Sequence, residues 1–285
     1  MGEEIIKVLF LDRDGVINED YGYVYKKEDF KFKEGIFELL KIFKDYKIFI
    51  VTNQSGIARK YYTEEDFHKL MDWVKEEFKK KEIELVDVNF CPHHPDITGV
   101  CECRKPNAGM IFDLAKKYNI DLKNSIMIGD KKSDIEAANK AGITRTYLVK
   151  DNLFDIINEI KLDFWNNLKK QLSNKKITNF KFFERDIFFM SIGQNVGYEQ
   201  YGKGDIFLRP VIVLKKLSKY TFIGIPLSSQ EKTGDFYFKF LFKNIDNYAL
   251  LNQVRVFDIR RNKYFSGRIS HSDFKKLKNQ FINLF

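Results

Sequence analysis

The strongest constraint on this chain is a repeated order in its first half: a short apolar run, then a longer stretch with helical spacing, several times over. The runs are "IIKVLFLD" (5–12), "KIFIVTN" (47–53), "LVDVNF" (85–90), "SIMIGD" (125–130) and "TRTYLV" (144–149). Between them lie the amphipathic stretches "EGIFELLKIFKDY", "TEEDFHKLMDWVKEEFKKK", "NAGMIFDLAKKYN" and "KSDIEAANKAG". Strands and helices in alternation form βαβ units, which build a parallel sheet with helices on both faces. In such a sheet ligands bind beyond the carboxyl ends of the strands. The segments "DRDG", "TNQS", "GDKKSD" and a loop rich in Cys and His all fall there.

The second half has another character. Residues 151–183 are rich in Lys and Asn and read as a helix followed by a linker. After them come short strands, "DIFFMSI", "RPVIVLKKL", "YTFIGIPLSS", "FYFKFLF" and "NQVRVFDI", divided by Gly, Lys and Asn turns. "SHSDFKKLKNQFINLF" closes the chain as a helix capped by Ser270 or Ser272. This pattern predicts a small twisted sheet or barrel with a terminal helix. The expected division is residues 1–160, a basic helix and linker over 161–183, and a second domain over 184–285.

Charge divides the same way. Residues 1–160 hold 26 Lys+Arg and 30 Asp+Glu, a net −4, and residues 161–285 hold 23 and 10, a net +13. A basic second half suits a polyanion such as nucleic acid. No apolar run reaches the roughly 20 residues that span a bilayer, and Glu3 and Glu4 stand where a signal peptide carries basic residues. The expectation is a cytoplasmic protein with reduced thiols and no membrane partner.

"CPHHPDITGVCECRKP" (91–106) contains all three cysteines and two of the four histidines. A disulfide and a metal site compete for it. The spacing of the three cysteines and the His pair offers three thiolates and one imidazole, a tetrahedral set suited to structural zinc, with Cys91, Cys101 and Cys103 as ligands and either His93 or its neighbour His94 as the fourth. A disulfide would strand the third cysteine and require an oxidising compartment.

"FLDRDGVIN" sets Asp12 and Asp14 one residue apart at a strand end. Alone it reads as an acidic turn; with "VTNQSG" and "GDKKSD" at later strand ends it supplies parts that phosphoryl transfer needs. Residues 1 to about 155 resemble the haloacid dehalogenase (HAD) superfamily. "LDRDGVIN", "GYV", "VTNQSGIAR", "CPHHP", "CxCRKP" and "GDK" resemble its D-glycero-D-manno-heptose-1,7-bisphosphate 7-phosphatase branch, with histidinol-phosphatases as close relatives. The resemblance implies a HAD-like Rossmannoid sheet, Asp12 as nucleophile and Asp14 as acid and base. It implies Mg2+ on Asp12, the main-chain oxygen of Asp14 and Asp130, with Thr52 and Lys105 on the transferring phosphoryl group, and His93 of the His pair as the zinc-binding imidazole. Asn18, Glu19, Asp20, Tyr21, Asn53, Gln54, Ser55, Arg104 and Lys131 match substrate-contacting positions, Arg104 as grip on a distal phosphate. Asp134 reads as a helix cap and stays outside the metal shell. The seven residues between His93 and Cys101 are closer to the shorter loop of histidinol-phosphatases, which leaves that substrate as an alternative.

Residues 184–285 resemble the PemK/MazF-like endoribonuclease toxins through "ERDIFFMSIGQNVGYEQYGKG", "RPVIVLKK", "IPLSS", "NQVRVFDIRR" and "GRIS". That resemblance implies an SH3-like barrel that cuts single-stranded RNA without metal, with Arg209 and Ser228 at the scissile phosphate. Glu199, Gln200, Gln253 and Arg255 would frame the site. An antitoxin or a second copy of the barrel is the implied protein partner. The expected activity is hydrolysis of a phosphorylated sugar, joined to a ribonuclease or RNA-binding module. The alternative is a toxin-type ribonuclease whose phosphatase half trims RNA ends or restrains cleavage.

Overall fold

Val8–Leu11 form the first strand, and none of the four is accessible to solvent. That burial follows from their position at the centre of a sheet. The computed structural model describes residues 5–177 and 180–284, and the chain divides into two compact units, Met1–Asn158 and Glu159–Phe285.

In the first unit β1 (Val8–Leu11), β2 (Lys47–Asn53), β3 (Leu85–Cys91), β4 (Ile126–Gly129) and β5 (Arg145–Leu148) form a parallel sheet in the order β3-β2-β1-β4-β5. The helices are α1 (Ile36–Leu40), α2 (Glu64–Lys80), α3 (Pro95–Thr98), α4 (Gly109–Tyr118) and α5 (Lys132–Lys140). The stretch expected as one helix near 34–46 is a short α1 followed by a 3-10 turn, Lys41–Phe43, because β2 begins at Lys47. Thr63 and Asp66 cap α2 reciprocally, side chain to backbone, and stop its first turn from fraying. Its Phe67, Leu70, Met71, Val74 and Phe78 recur at helical spacing and are buried. Each such side chain contributes about 1.5–3 kcal/mol on burial, more than intrinsic propensity supplies to a helix of this length.

α6 (Leu153–Ser173) is a single helix that runs from the first unit into the second. The second unit continues with β6 (Asp186–Ser191), β7 (Leu208–Lys216), β8 (Thr221–Ser228), β9 (Tyr237–Phe242), β10 (Ile245–Leu250), β11 (Arg255–Asp258), β12 (Asn262–Arg268) and α7 (His271–Ile282). The order is β12-β6-β7-β8-β10-β9, antiparallel throughout. β8 divides its free edge, Thr221–Gly224 pairing with β11 and Leu227 and Ser228 with β10, so the sheet coils rather than lies flat. Ser270 caps α7, whose Phe274 and Leu277 join a core with Ile187, Ile212, Ile225 and Phe240.

Residues 161–183, read from sequence as a helix and linker, contribute to this unit. Trp165 and Phe182 are buried, and Phe182 packs with Phe188, Met190, Phe222 and Phe257. Gly193 takes φ +101, and a Cβ there would stand 2.4 Å from the Trp165 ring. The position therefore excludes a side chain for want of room as well as for backbone strain.

Candidate functional site

The carboxyl ends of the parallel strands converge. Asp12 follows β1, Thr52 and Asn53 end β2, and Asp130 follows β4. A cavity of about 570 Å³ opens there, lined by Asp12, Asp14, Thr52, Gln54, Arg104 and Lys105 among others. Lys105 arrives from the Cys/His loop, its backbone pinned to β2 by a reciprocal pair: Asn53 Nδ2 donates to Lys105 O and Lys105 N to Asn53 Oδ1, each at 3.1 Å. Its ammonium is buried and donates to Asp12 Oδ1 and Val51 O, both at 2.8 Å, and pairs with Asp134 Oδ1 at 2.6 Å. Burial opposes its charge, but Asp12 and Asp134 outweigh burial and raise its pKa above the ordinary lysine value.

Asp14 is gripped from several sides. Arg13, with no exposed surface, contacts both its oxygens, and Asn18 Nδ2 and Gln54 Nε2 each donate to it at 3.0 Å. Gln54 also donates to Thr52 Oγ1 at 2.9 Å and accepts from Tyr62 Oη at 2.6 Å. Burial pushes the Tyr62 phenol up to about 12, so it stays a donor at neutral pH. Neither Arg13 nor Tyr62 was singled out by sequence reasoning. Arg13 was signalled by its place between two acids; Tyr62 carried no signal.

Asp12, Asp130 and Asp134 bring carboxylate oxygens within 4.8 Å of one another. Asp130 Oδ1 is buried with no hydrogen-bond partner among the described residues, and burial, then Asp12, push this carboxyl up to about 7. Three hard oxygen donors around an unpartnered oxygen fit a divalent cation such as Mg2+. Gly15, at φ +84, faces this cluster: a Cβ would lie 2.3 Å from Asp130 Oδ2. Asp134, set aside in the sequence as a cap, does cap α5 by accepting from Lys131 N at 2.9 Å, and it also joins the carboxylate cluster and Lys105.

The expected substrate residues separate into two groups. Asp20, Asn53, Gln54, Ser55, Arg104 and Lys131 line the cavity, whereas Asn18, Glu19 and Tyr21 do not. Asn18 is fully buried behind Asp14, so its amide faces the carboxylate instead of the cavity. Lys131 Nζ donates to Asp20 Oδ2 at 3.2 Å. Burial opposes the Asp20 charge, but the Gly22 N–H and Lys131 hold its carboxyl below the usual range.

Cys91, His93, Cys101 and Cys103 close into one cluster. Their sulfurs lie 3.0 to 3.5 Å apart, and His93 Nδ1 is 3.6 Å from Cys91 Sγ and 3.2 Å from Cys103 Sγ. The three thiols are free, which leaves the disulfide alternative without support. Sulfur ligands about 2.3 Å from a tetrahedral zinc would stand about 3.8 Å apart, so small outward shifts admit a metal ion. His94 turns away, capping α3 with its ring and meeting Arg59 Nη2 at 2.7 Å. Arg104 Nη1 donates to His93 O at 3.0 Å, tying the cluster to the cavity wall.

In the second unit Arg209 and Ser228 line one cavity of about 720 Å³. Arg209 donates from Nε to Tyr201 O at 2.7 Å and from Nη1 to Leu227 O at 3.0 Å. Among the described residues it forms no ion pair, and burial lowers its pKa. With its carboxamide oxygen turned inward, Gln200 accepts from Arg209 Nη2 at 2.9 Å. Gln253 Oε1 accepts from Gln200 N at 2.8 Å, Arg255 Nη2 donates to Ile192 O at 2.9 Å, and Glu199 accepts from Val196 N at 3.4 Å. Of the aromatics near 236–238, Phe238 is buried and Phe236 exposed. His68 packs edge-on against Phe67 and Phe90, and His271 meets Arg185.

A parallel α/β sheet with Asp12 and Asp14 at its first strand end, a lysine on Asp12 and acids after β4 defines a HAD-like phosphohydrolase. The HAD-hydrolase-like family model matches residues 102–157, and the model of the PemK-like, MazF-like toxin of type II toxin-antitoxin systems matches residues 184–285. D-glycero-alpha-D-manno-heptose-1,7-bisphosphate 7-phosphatase of Photorhabdus laumondii is 49% identical over 152 residues, which are 51% of this chain and 83% of that protein. The enzyme of the same name from Campylobacter jejuni is 48% identical over 183 residues, 64% of this chain and 98% of that protein. Among solved structures, D,D-heptose 1,7-bisphosphate phosphatase from B. bronchiseptica, complexed with magnesium and phosphate, aligns with TM-score 0.47 and 28% identity. That alignment covers 61% of this chain and 89% of the other. The chain belongs to the heptose-1,7-bisphosphate 7-phosphatase family of HAD-like hydrolases, and it carries a PemK/MazF-like domain in addition. Among the described residues no helix is long and apolar enough to cross a membrane.

Proposed function

We propose that the first unit hydrolyses a phosphomonoester of a D-glycero-D-manno-heptose 1,7-bisphosphate. The observation that carries this reading is a cavity lined by Asp12 and its lysine together with two further cations, Arg104 and Lys131. A substrate with two phosphates offers one to Lys105 and the second to Arg104. Asp12 attacks phosphorus, the sugar alkoxide departs, and Asp14 gives it a proton. Asp14 then takes a proton from the water that opens the aspartyl-phosphate and returns free Asp12 and inorganic phosphate. Arg13, Asn18 and Gln54 orient Asp14 for both transfers. Lys105 and Thr52 meet the equatorial oxygens, where charge is spread during transfer. Mg2+ held by Asp12, Asp130 and the main-chain oxygen of Asp14 would supply charge neutralisation between nucleophile and phosphate.

Zinc is the metal we assign to Cys91, His93, Cys101 and Cys103, in a structural role, since four protein donors leave no open position. Free thiols and a thiolate metal site favour the reducing cytoplasm. Phosphate release would be screened over heptose 1,7-bisphosphate, histidinol phosphate and 3′-phosphorylated RNA. Asp12→Asn should abolish turnover; a variant as active as the parent would sink the assignment, and preference for either other substrate would redirect it.

The second unit we read as a ribonuclease, because Arg209 and Ser228 share a cavity and, among the described residues, Arg209 has carbonyl partners but no carboxylate. Such a guanidinium attracts a phosphate and stabilises the phosphorane formed when the RNA 2′-hydroxyl attacks. The full chain should cut single-stranded RNA in EDTA and lose that activity on Arg209→Ala. Salt-sensitive binding without cleavage would instead mark a binding module. An antitoxin or a second barrel remains the protein partner that this reading expects.

A further inference from the structure

The described residues hold a second cationic recess in the basic half of the chain, formed where the end of α6 meets the turn between β11 and β12. Its volume is about 630 Å³, and it is lined by Asn166, Lys169, Lys170, Leu172 and Ser173 from α6 and by Asp258, Arg260 and Arg261 from the turn. Four cationic side chains face one carboxylate. Asp258 is already taken by Arg260, whose Nε and Nη2 donate to its two oxygens at 3.0 and 2.8 Å. Lys169, Lys170 and Arg261 form no ion pair among the described residues.

The recess is braced. Arg260 Nη1 donates to Ser173 O at 3.1 Å, and Arg261 Nη1 donates to Ser191 O at 3.1 Å with its guanidinium 5.2 Å from the Trp165 ring centre. Trp165 is itself buried against Phe207. The helix end is thus held against the barrel, and the charges of Lys169 and Lys170 are carried on a fixed support. Burial lowers the Arg261 pKa, as expected for a guanidinium short of negative partners. One strand pair relates the recess to the Arg209 cavity: Ser191, whose carbonyl holds Arg261, pairs with Leu208, the residue before Arg209.

We propose that this recess binds the phosphate backbone of single-stranded RNA and extends the Arg209 site along the strand; the proposal rests on the reading of the second unit as RNA-acting. Five of its eight lining residues come from α6, outside residues 184–285 that the toxin family model covers, so the surface is an addition to that fold. Charge complementarity favours RNA over an acidic protein segment. A bound peptide needs apolar anchors, and Leu172 is the one large apolar residue in the lining. A phosphate chain needs cations at intervals and little else.

The test uses the full chain and a 2′-O-methyl single-stranded RNA, which cannot be cut by 2′-hydroxyl attack, with binding read by fluorescence anisotropy over a range of salt. Lys169→Gln/Lys170→Gln removes two exposed charges. Single-stranded binding loses about 0.7 in log–log salt slope per phosphate contact. The double variant should therefore lower the slope by about 1.4 and weaken affinity roughly tenfold or more near 0.1 M salt. Lys169→Arg/Lys170→Arg should keep both, and thermal unfolding of the two variants should match the parent. An unchanged slope and affinity, or no binding by the parent, would overturn the proposal. Tighter binding of a poly-glutamate peptide with the same dependence on the two lysines would also overturn it, in favour of an acidic protein partner. Because the strand is uncleavable, failure of the Arg209 cleavage test leaves this result standing, and the reverse holds as well.

Discussion

Arg13 and Asp14, adjacent in sequence, face each other as a bidentate pair: Nη2 of Arg13 lies 2.7 and 2.8 Å from the two Asp14 oxygens, and Nε lies 3.1 Å from Oδ1. Arg13 also donates to Val24 O at 2.7 Å. The residue proposed to move protons is therefore oriented from behind, by a side chain that never reaches the cavity.

Arg13→Met should break this grip and leave Asp14 without its counter-charge. Removing one member of a buried pair costs about 3–5 kcal/mol, to be read from urea unfolding. Arg13→Lys should recover little, because an ammonium cannot reproduce the fork. Parent-like stability in the methionine variant would refute the clamp.

Tyr62→Phe removes one hydroxyl and leaves Gln54 Oε1 without its donor. The expected loss is about 1–3 kcal/mol of stability. Because Gln54 orients Asp14, kcat should fall several-fold while KM changes little. A change confined to KM would show that Tyr62 acts on substrate instead.

Elemental analysis should find one zinc per chain. Cys101→Ser, or a strong chelator, should remove it and cost at least about 3 kcal/mol, roughly 6–12 °C in Tm for a unit of this size. Phosphatase activity should fall in parallel, since Arg104 leans on the carbonyl of His93 and Lys105 follows it directly. Full activity in a zinc-free Cys101→Ser protein would contradict the assignment.

The raised Asp130 carboxyl makes a prediction about pH. Its folded-state pKa, about 7, exceeds the unfolded value near 3.8, so between these values the folded chain binds the extra proton. Its contribution to stability is thus present at low pH and lost as pH rises through that window. Without divalent cations, the parent should lose stability relative to Asp130→Asn as pH increases from about 4 to 7. Saturating Mg2+ should abolish this difference in slope. Parallel pH curves without metal would count against the site.

Trp165→Ala should destabilise the second unit by about 3–5 kcal/mol, the usual cost of emptying a large buried site. An exposed linker tryptophan would lose almost nothing. Calorimetry that resolves the unfolding of the second unit separates the two.

The parallel sheet was legible because its central strands β1 and β4 and the middle of β2 are continuous apolar runs, and β1, buried on both faces, has no polar position to obscure the pattern. The Cys/His cluster was legible from spacing except for the choice between His93 and His94, which spacing leaves open and the turn of His94 towards Arg59 decides. Asp134 was harder, because a carboxylate three residues into a helix start serves as a cap whether or not it also meets a lysine from a distant loop. Tyr62 lies outside any motif and becomes informative only through Gln54. Asn18 shows the opposite limit: a position that the resemblance matches to substrate contact turns inward, since the turn at Gly15 brings its amide to Asp14. The role of α6 in the second unit depends on what Trp165 packs against, and Gly193 and Phe207 come from a loop far along the chain.

Lys105 has three hydrogens to donate, and Asp12, Asp134 and the Val51 carbonyl engage them all. Its long side chain surrenders its rotational freedom, worth up to about 2 kcal/mol, when the protein folds and not at each encounter with substrate. A phosphoryl oxygen can reach the ammonium only by exchanging with one of these acceptors. In the proposed reaction, binding at Lys105 is then a replacement of one oxygen by another at a fixed centre, with little entropy left to lose.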